Sequence, residues 1–345
     1  MSSSPVERLH SQYFPTGKKI LYCALNWGLG HASRSIPIIH ALVERNNEVT
    51  LASDGLPLEM LRQNFPALPF YELPPYNVRY PRAGIFQNML QQSFQIQSVI
   101  RREHAVVKTL VDKHGYEWII SDNRPGCYDN RSQCIFITHQ TEPYHPRAAV
   151  RWLFKWVSQF YFSPFQQIWI PDDSTLKLSG DLSHRSFKHP EAHFIGLCSS
   201  MDGKKEERNN SIAVILSGPE PQRTLVEQKL WDIALQMPDR TFIWVRGTQN
   251  AVAPVQVPAH ITLLDVAHKD QINHWLNTCA LVICRSGYTS LMDIAVSGCK
   301  ALLIPTPGQT EQEYLARRHA DRWPWIEQDK VSASSIRAVL QNENS

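Results

Sequence analysis

Short apolar runs alternate with amphipathic stretches along most of the chain. The apolar runs are rich in β-branched residues and have the length of buried strands, whereas the stretches between them show helical spacing. This alternation predicts an α/β fold built on parallel sheets. The expected strands are Ile20–Leu25, Glu48–Ser53, Glu117–Ser121, Cys134–Thr138, Gln167–Pro171, Ser211–Leu216, Thr241–Val245, His260–Leu264, Leu281–Cys284 and Ala301–Ile304.

The strand–helix series is interrupted once, between 181 and 208, where His, Ser and charged residues accumulate. A second series with a similar first turn follows, which predicts two Rossmann-like domains facing each other across a cleft. We expect a flexible tail at 1–17, an N-terminal domain at 18–195 and a C-terminal domain at 196–345. The last helix is a candidate to pack back on the first domain.

Charge and cysteine content narrow the class of protein. The 345 residues include 35 basic and 32 acidic side chains, a balance too even to predict a nucleic-acid partner. The seven cysteines show no C-x-x-C spacing, and the N-terminus has no apolar core region of a signal peptide. We therefore expect a cytoplasmic enzyme.

Polar residues cluster after two strands in the stretch from Leu281 to Ala320. In a parallel sheet the carboxyl ends of the strands form one edge, where ligands bind. This stretch is therefore the best candidate for a binding site in the chain. The polar residues expected at its edge are Arg285, Ser286, Asp293, Glu311 and Gln312.

The first domain has a corresponding edge. Its first strand leads into a turn with Gly28 and Gly30 that ends in His31, and later strands end near Asp122 and His139. The turn departs from the dinucleotide fingerprint G-x-G-x-x-G, since its third glycine is replaced by Ser33. An NAD-binding alternative remains, because Asp54 ends the second strand, where an acid binds ribose. No cofactor is predicted otherwise.

The segment Ala148–Phe165 is aromatic and contains Arg151 and Lys155. Two interpretations are open: a core or interdomain helix, or a helix whose aromatic face contacts a membrane surface or a lipid acceptor. The pair Asp172-Asp173 is expected to be a solvated turn, since no third metal ligand lies nearby in the sequence.

These motifs resemble the GT-B glycosyltransferases, most nearly the family 28 type that uses a UDP-sugar to make peptidoglycan precursors. The R-S-G turn at Arg285 is followed eight residues later by the acid Asp293, where the family has Glu. The segment from Pro305 to Glu311-Gln312 is similar to the family's donor-sugar loop. Gly28-Leu29-Gly30-His31 is similar to its N-terminal turn, which is richer in glycine.

The resemblance implies a GT-B fold and a metal-independent, inverting transfer of a hexose, such as N-acetylglucosamine, from a UDP-sugar. It implies an unidentified acceptor, lipid-linked or a glycan, and a peripheral membrane location as an alternative to a purely cytoplasmic one. The implied general base is His31, with Asp122, His139 and Glu142 as rivals. The implied donor-binding residues are Ser217, Gly218, Arg223, Val266, Arg285, Ser286, Gly287, Asp293, Glu311 and Gln312.

Alternatives stay open for residues and for function. Ser290-x-x-Asp293 and Thr310-x-x-Glu313 also have the spacing of helix capping boxes. Nucleotide diphosphates bind at helix N-termini, and Arg223 and Arg285 are expected to contact the phosphates. The same fold also suits a nucleotide-sugar hydrolase or epimerase, or a nucleotide-sugar-binding protein without catalysis.

Overall fold

The computed structural model describes residues 4–76, 85–142, 147–184, 189, 191–204, 206–248 and 256–342. The chain divides into an N-terminal unit ending at Ser200 and a C-terminal unit starting at Met201. Each unit is built on one parallel sheet, with helices in the connections between its strands. The predicted α/β class with two Rossmann-like parallel sheets is confirmed.

The N-terminal unit has seven parallel strands in the order β3-β2-β1-β4-β5-β6-β7. The strands are β1 (Lys19–Ala24), β2 (Glu48–Ser53), β3 (Phe70–Glu72), β4 (Trp118–Asp122), β5 (Gln133–Ile137), β6 (Gln167–Ile170) and β7 (Ala192–Phe194). The helices are α1 (Leu29–Glu44), α2 (Gly55–Asn64), α3 (Ile85–His114), α4 (Ala148–Phe162) and α5 (Asp181–His184). Apolar side chains of β1, β4 and β5 pack against α3 in its core, among them Leu21, Ile119, Phe136 and Val107.

The C-terminal unit has five parallel strands in the order β10-β9-β8-β11-β12. The strands are β8 (Ser211–Ile215), β9 (Thr241–Val245), β10 (Ile261–Leu264), β11 (Leu281–Cys284) and β12 (Ala301–Leu303). The helices are α6 (Gln222–Leu235), α7 (Lys269–Thr278), α8 (Tyr288–Ser297), α9 (Thr310–Arg318) and α10 (Ala333–Gln341). Strand residues Val214, Trp244 and Ile283 form its core with Leu230 of α6 and Ile336 of α10.

Strand order determines where each sheet can bind a ligand. In both sheets two strands that are distant in sequence lie side by side: β1 beside β4, and β8 beside β11. The connections from these neighbouring strands lead to opposite edges of the sheet, which opens a crevice at their carboxyl ends. Each unit therefore has one topological switch point.

The expectation of a flexible tail at 1–17 is wrong for its described part, because Leu9 and Phe14 are buried and Phe14 stacks on Trp169. The first helix, α1, begins at Leu29, directly after Gly28. The last helix, α10, contributes Ile336 to the C-terminal core, and its Arg337 pairs with Asp239.

The segment 181–208, where the strand–helix series was expected to be interrupted, contains a short strand, β7, which its polar composition did not predict. Positions 185–188, 190 and 205 of this segment lie outside the described residues, as does part of the proline-rich stretch after β3. Within the described ranges, no helix is long and apolar enough to cross a membrane.

Candidate active site

The N-terminal switch point brings together His31, Arg34, Asp122 and His139, which we call the N-terminal polar cluster. Asp122 ends β4 opposite Ala24 of β1, and His139 follows the adjacent strand β5. Gly28, with φ 81°, ends the turn after β1 and precedes α1. Its positive φ suits glycine. His31 and Arg34 lie three residues apart in the first turns of α1, so they share a face of the helix.

Arg34 links the members of this cluster. Its Nε donates to Asp122 Oδ2 at 2.9 Å, and its Nη2 contacts Asp122 Oδ1. The same Nη2 lies 2.9 Å from His31 Nδ1, and Nη1 lies 3.0 Å from His139 Nδ1. His31 Nδ1 is also 3.1 Å from Asp122 Oδ1. The predicted residues His31, Asp122 and His139 are therefore brought together by an arginine that was not predicted.

Burial and charge set the protonation of the cluster. Arg34 and Asp122 are buried, whereas 13% of the His31 side chain is exposed. Burial, and next the charge of Arg34, lower the pKa of His31 from its usual 6.5. Burial opposes ionisation of Asp122, but Arg34 and His31 outweigh it and hold its pKa well below the usual range. The cluster thus contains a neutral imidazole beside a carboxylate, an arrangement suited to a general base.

The ribose role that NAD binding would require of Asp54 is contradicted by its contacts. Its carboxylate is buried and accepts from Arg124 Nη1 and from Asn26 Nδ2, both at 2.8 Å. Arg124 also donates to the Ala24 and Pro74 carbonyls and pairs with Glu103. Asp54 therefore ties the ends of the first strands together.

The C-terminal switch point lies between the turns after β8 and β11. The first turn contains Ser217 and Gly218, both exposed, and leads into the N-terminus of α6. The second contains Arg285, Ser286 and Gly287 and leads into α8. Both helices therefore begin at the same crevice. At the start of α6 the amides of Arg223 and Leu225 donate to the carbonyls of Pro219 and Pro221, and the Thr224 amide donates to the Glu220 carboxylate. The positive dipole ends of both helices favour an anion at this crevice.

The two arginines expected to contact phosphate have protein partners instead. Arg285 is buried and donates to the carbonyls of Ile304, Pro305 and Gln222 and to Gln328 Oε1, at 2.8–3.3 Å. Burial lowers its pKa to about 10. Its guanidinium thus ties β12 and α6 together beneath the crevice, and the expectation of a direct phosphate contact is not supported.

Arg223, in the first turn of α6, also has charged protein partners. It donates to Glu220 at 2.6 Å and to Glu227 at 2.7 Å, and Arg246 donates to the other oxygen of Glu227 at 2.6 Å. Glu227 and Arg246 belong to no sequence motif, so the sequence alone did not identify them as partners of Arg223. Because carboxylates already balance Arg223, its predicted role as a phosphate ligand is not supported either.

Ser286 and Gln312 hold the loop between β12 and α9. Ser286 Oγ donates to the Gln312 carbonyl at 2.8 Å, and Gln312 Oε1 accepts from the Thr306 amide at 2.8 Å. Gln312 Nε2 donates to Gln309 at 2.6 Å. The expected sugar contact of Gln312 is thus replaced by contacts that shape the loop. Glu311 lies half-buried at the start of α9.

The capping alternative for Asp293 is wrong, because α8 begins at Tyr288 with Gly287 as its N-cap. Asp293 therefore lies half-buried in the second turn, beyond capping distance. Glu313 does serve the start of its helix, since it accepts from the Gly308 amide at 2.9 Å. Val266 is exposed after β10.

Thr306 is a further candidate that sequence reasoning missed. Its hydroxyl is buried without a hydrogen-bond partner among the described residues. A Cβ on Gly218, whose φ is 103°, would lie 3.6 Å from this hydroxyl. An unpaired buried hydroxyl beside the turn after β8 is available to a ligand in the crevice. Across the described parts of both units, no group of three His, Cys, Asp or Glu side chains is arranged to hold a metal ion.

The class of protein follows from comparison with known families and structures. Residues 214–341 match the glycosyltransferase family 28 C-terminal domain. The chain also has the fold of the glycosyltransferase of kitacinnamycin, with a TM-score of 0.67, 14% identity, and coverage of 95% of this chain and 90% of that one. The predicted resemblance to GT-B glycosyltransferases of the family 28 type is confirmed.

Two particular relatives add detail. A 144-residue part is 26% identical to the UDP-N-acetylglucosamine--N-acetylmuramyl-(pentapeptide) pyrophosphoryl-undecaprenol N-acetylglucosamine transferase of Pectobacterium carotovorum subsp. carotovorum (strain PC1). The match spans 39% of this chain and only 39% of the length of that transferase. The spinosyn rhamnosyltransferase SpnG, solved with thymidine diphosphate, has a TM-score of 0.63 at 14% identity over 95% of this chain and 92% of that one.

The buried carboxylate of Asp122 gives a test of the cluster as a structural unit. Asp122→Ala would leave Arg34 buried without its anion, so we expect a loss of about 3–5 kcal/mol in the free energy of unfolding. Denaturant titration followed by circular dichroism measures this loss. The control is Asp112→Ala, which breaks the exposed pair with Arg131 and should cost under about 1 kcal/mol. Equal, small losses in both variants would contradict the assigned role.

Proposed function

We propose that this protein is a glycosyltransferase that moves a hexose from a nucleotide-sugar donor, UDP-linked, to an acceptor hydroxyl with inversion and without a metal ion. The observation that carries this proposal is the pairing of His31 with the buried carboxylate of Asp122 at the N-terminal switch point. The family 28 match over the C-terminal unit supports the donor half. The names of the two relatives, which mention a UDP-sugar and thymidine diphosphate, support a nucleotide-linked donor.

The proposed reaction uses the two units for different tasks. With Nδ1–H directed at Asp122, His31 Nε2 accepts the proton of the acceptor hydroxyl. The acceptor oxygen forms a bond to the anomeric carbon while the bond from that carbon to the diphosphate oxygen breaks. The leaving nucleoside diphosphate keeps the electron pair, and the N-termini of α6 and α8 stabilise its charge. Asp293 binds the ribose hydroxyls, and Glu311 the sugar.

The exposed aromatic residues of helix α4 indicate where the acceptor binds. Its residues Trp152, Trp156 and Phe160 are 71%, 65% and 67% exposed and recur every four residues, so they form one aromatic face. The expectation of a core helix is therefore wrong for this face. Such an exposed stripe of large apolar side chains indicates an interaction surface.

The charge around this face favours an anionic bilayer as its partner. Between positions 143 and 171 the chain has Arg147, Arg151 and Lys155 but no acidic residue. Of these, Lys155 lies 3.7 Å from Glu142 in a partly exposed pair. Tryptophan and phenylalanine beside basic residues are typical of helices that lie in a membrane interface. We therefore propose a peripheral membrane location and a lipid-linked acceptor.

The donor site is tested by nucleotide binding. Asp293→Ala should weaken UDP binding by about tenfold or more, because two ribose hydroxyls would lose a charged acceptor. Isothermal titration calorimetry measures the affinity, after a thermal-shift panel of nucleotides has identified the preferred base. Asp232→Ala, an exposed acid on α6, is the matched control. Unchanged affinity in Asp293→Ala would remove Asp293 from the donor site.

The general base is tested by turnover. His31→Ala should keep donor affinity but lower nucleoside diphosphate release by about 10²–10⁴-fold. Because the pKa of His31 is lowered, wild-type activity should persist on acidification below 6.5 before it declines. His274→Ala, an exposed histidine, is the control. Release that does not depend on added glycan or polyprenyl-phosphate acceptors would favour the hydrolase, and binding without any release would favour the non-catalytic alternative.

The membrane face is tested with vesicles. A Trp152→Glu/Trp156→Glu variant should lose co-sedimentation with vesicles of phosphatidylglycerol and phosphatidylcholine, because two interfacial anchors become charged. The control is Leu225→Glu/Leu235→Glu, which replaces two exposed apolar residues of α6. This variant should bind the vesicles as well as the wild-type protein does. A different result would assign this face to a second copy of the chain: the wild-type protein does not bind vesicles, but it forms a dimer that is lost when Trp152 and Trp156 are replaced.

A further inference from the structure

We infer that Arg34 is a positioning residue for the proposed transfer: by sharing Asp122 with His31, it keeps the imidazole uncharged and decides which of its nitrogens bears the proton. This inference rests on the proposed role of His31 as base. Arg34 follows His31 by one helical turn and is buried behind it. It therefore acts through His31 without reaching the reacting atoms.

The geometry offers His31 Nδ1 two competing partners. Asp122 Oδ1 lies 3.1 Å from Nδ1, and Arg34 Nη2 lies 2.9 Å from it. A neutral ring nitrogen either donates its proton to the carboxylate or accepts one from the guanidinium, so only one bond forms at a time. In the first form Nε2 has a lone pair and can act as base. In the second form Nε2 bears the proton and cannot.

The balance between the two forms depends on how Arg34 engages the remaining groups. Its Nε and Nη2 contact both oxygens of Asp122, which already accepts a weaker bond from Ser35 Oγ at 3.5 Å. Its Nη1 is a separate donor that lies 3.0 Å from His139 Nδ1, so this contact holds the guanidinium in place without replacing either contact with Asp122. A carboxylate shared in this way attracts the His31 proton less strongly than an unshared one would.

Two further ionisable side chains that act on the cluster, Tyr22 and Cys198, are neutral at ordinary pH. Tyr22 of β1 donates to Ser35 Oγ at 3.0 Å, and burial raises its pKa well above 10. Burial likewise raises the pKa of the Cys198 thiol. Arg34 and Asp122 form an ion pair, so their opposite charges cancel. A second proton on His31 would leave an excess positive charge beside Arg34.

Histidine resonances of the full-length protein test this inference without any substrate. In protein labelled with ¹⁵N-histidine, the ring-nitrogen chemical shifts report both the titration and the tautomer of each histidine. The His31 resonances are identified as those missing from the spectrum of His31→Gln. In wild type we expect a titration midpoint below 6.5 and a mixture of the two tautomers. Arg34→Gln removes the charge, so the midpoint should rise by about one pH unit or more and the Nδ1–H tautomer should dominate.

A matched control separates this effect from a general loss of stability. Arg124 is an equally buried arginine of the same unit, but its carboxylate partners are Glu103 and Asp54. Arg124→Gln should leave the His31 midpoint and tautomer unchanged even where it lowers stability. An unaltered midpoint and tautomer in folded Arg34→Gln would overturn the inference.

Two further measurements keep the outcome decisive. If Arg34→Gln does not fold, Arg34→Lys is measured in its place. Because one ammonium group cannot contact Asp122, His31 and His139 together, the fraction of His31 in the Nδ1–H form should rise. An unchanged fraction would overturn the inference. The acid limb of the turnover profile should shift with the midpoint in the same variants. If neither the wild-type protein nor any variant turns over a nucleotide sugar, the proposed function is wrong. The histidine resonances would still show whether Arg34 controls the protonation of His31.

Discussion

A buried negative charge at the end of β4 constrains the whole N-terminal unit. Asp122 has no exposed surface, and an unpaired carboxylate in such a place costs several kcal/mol. Arg34 compensates it from the second turn of α1, so α1 must begin close to the end of β1. Gly28 permits that early start through its positive φ. The requirement to pair one carboxylate thereby also places His31, one turn before Arg34, beside the same oxygen.

Both units use the same topological feature for different chemistry. At the N-terminal switch point the side chains are titratable and mostly buried, which suits the proton transfer that we propose there. At the C-terminal switch point the exposed groups are a small-residue turn, Ser217 and Gly218, and α6 and α8 begin beside it. Backbone N–H groups suit a diphosphate because its charge is spread over several oxygens. The family 28 match falls on this second unit.

Buried arginines connect the loops next to both candidate sites. Arg124 joins the Ala24 and Pro74 carbonyls to Asp54 and Glu103, and Arg285 joins Ile304 to Gln222 and Gln328. Each guanidinium has several donors in a fixed plane, so it can connect loops that share no regular backbone pairing. In an isolated sequence such an arginine cannot be told from one that binds phosphate. This ambiguity explains why Arg223 and Arg285 were predicted as ligand contacts.

Local patterns determined most of the secondary structure. Apolar periodicity located β2, β9 and β11 at their observed bounds and the other predicted strands within one residue. Turn composition indicated the loops that follow these strands. Helix α4 was also predicted, but its periodicity could not show which face lacks a covering element. The partners of Arg34, Asp54 and Arg285 were decided by tertiary structure alone. Those partners lie far away in sequence, and a hydrogen bond depends on distances of a few tenths of an ångström that residue spacing does not encode.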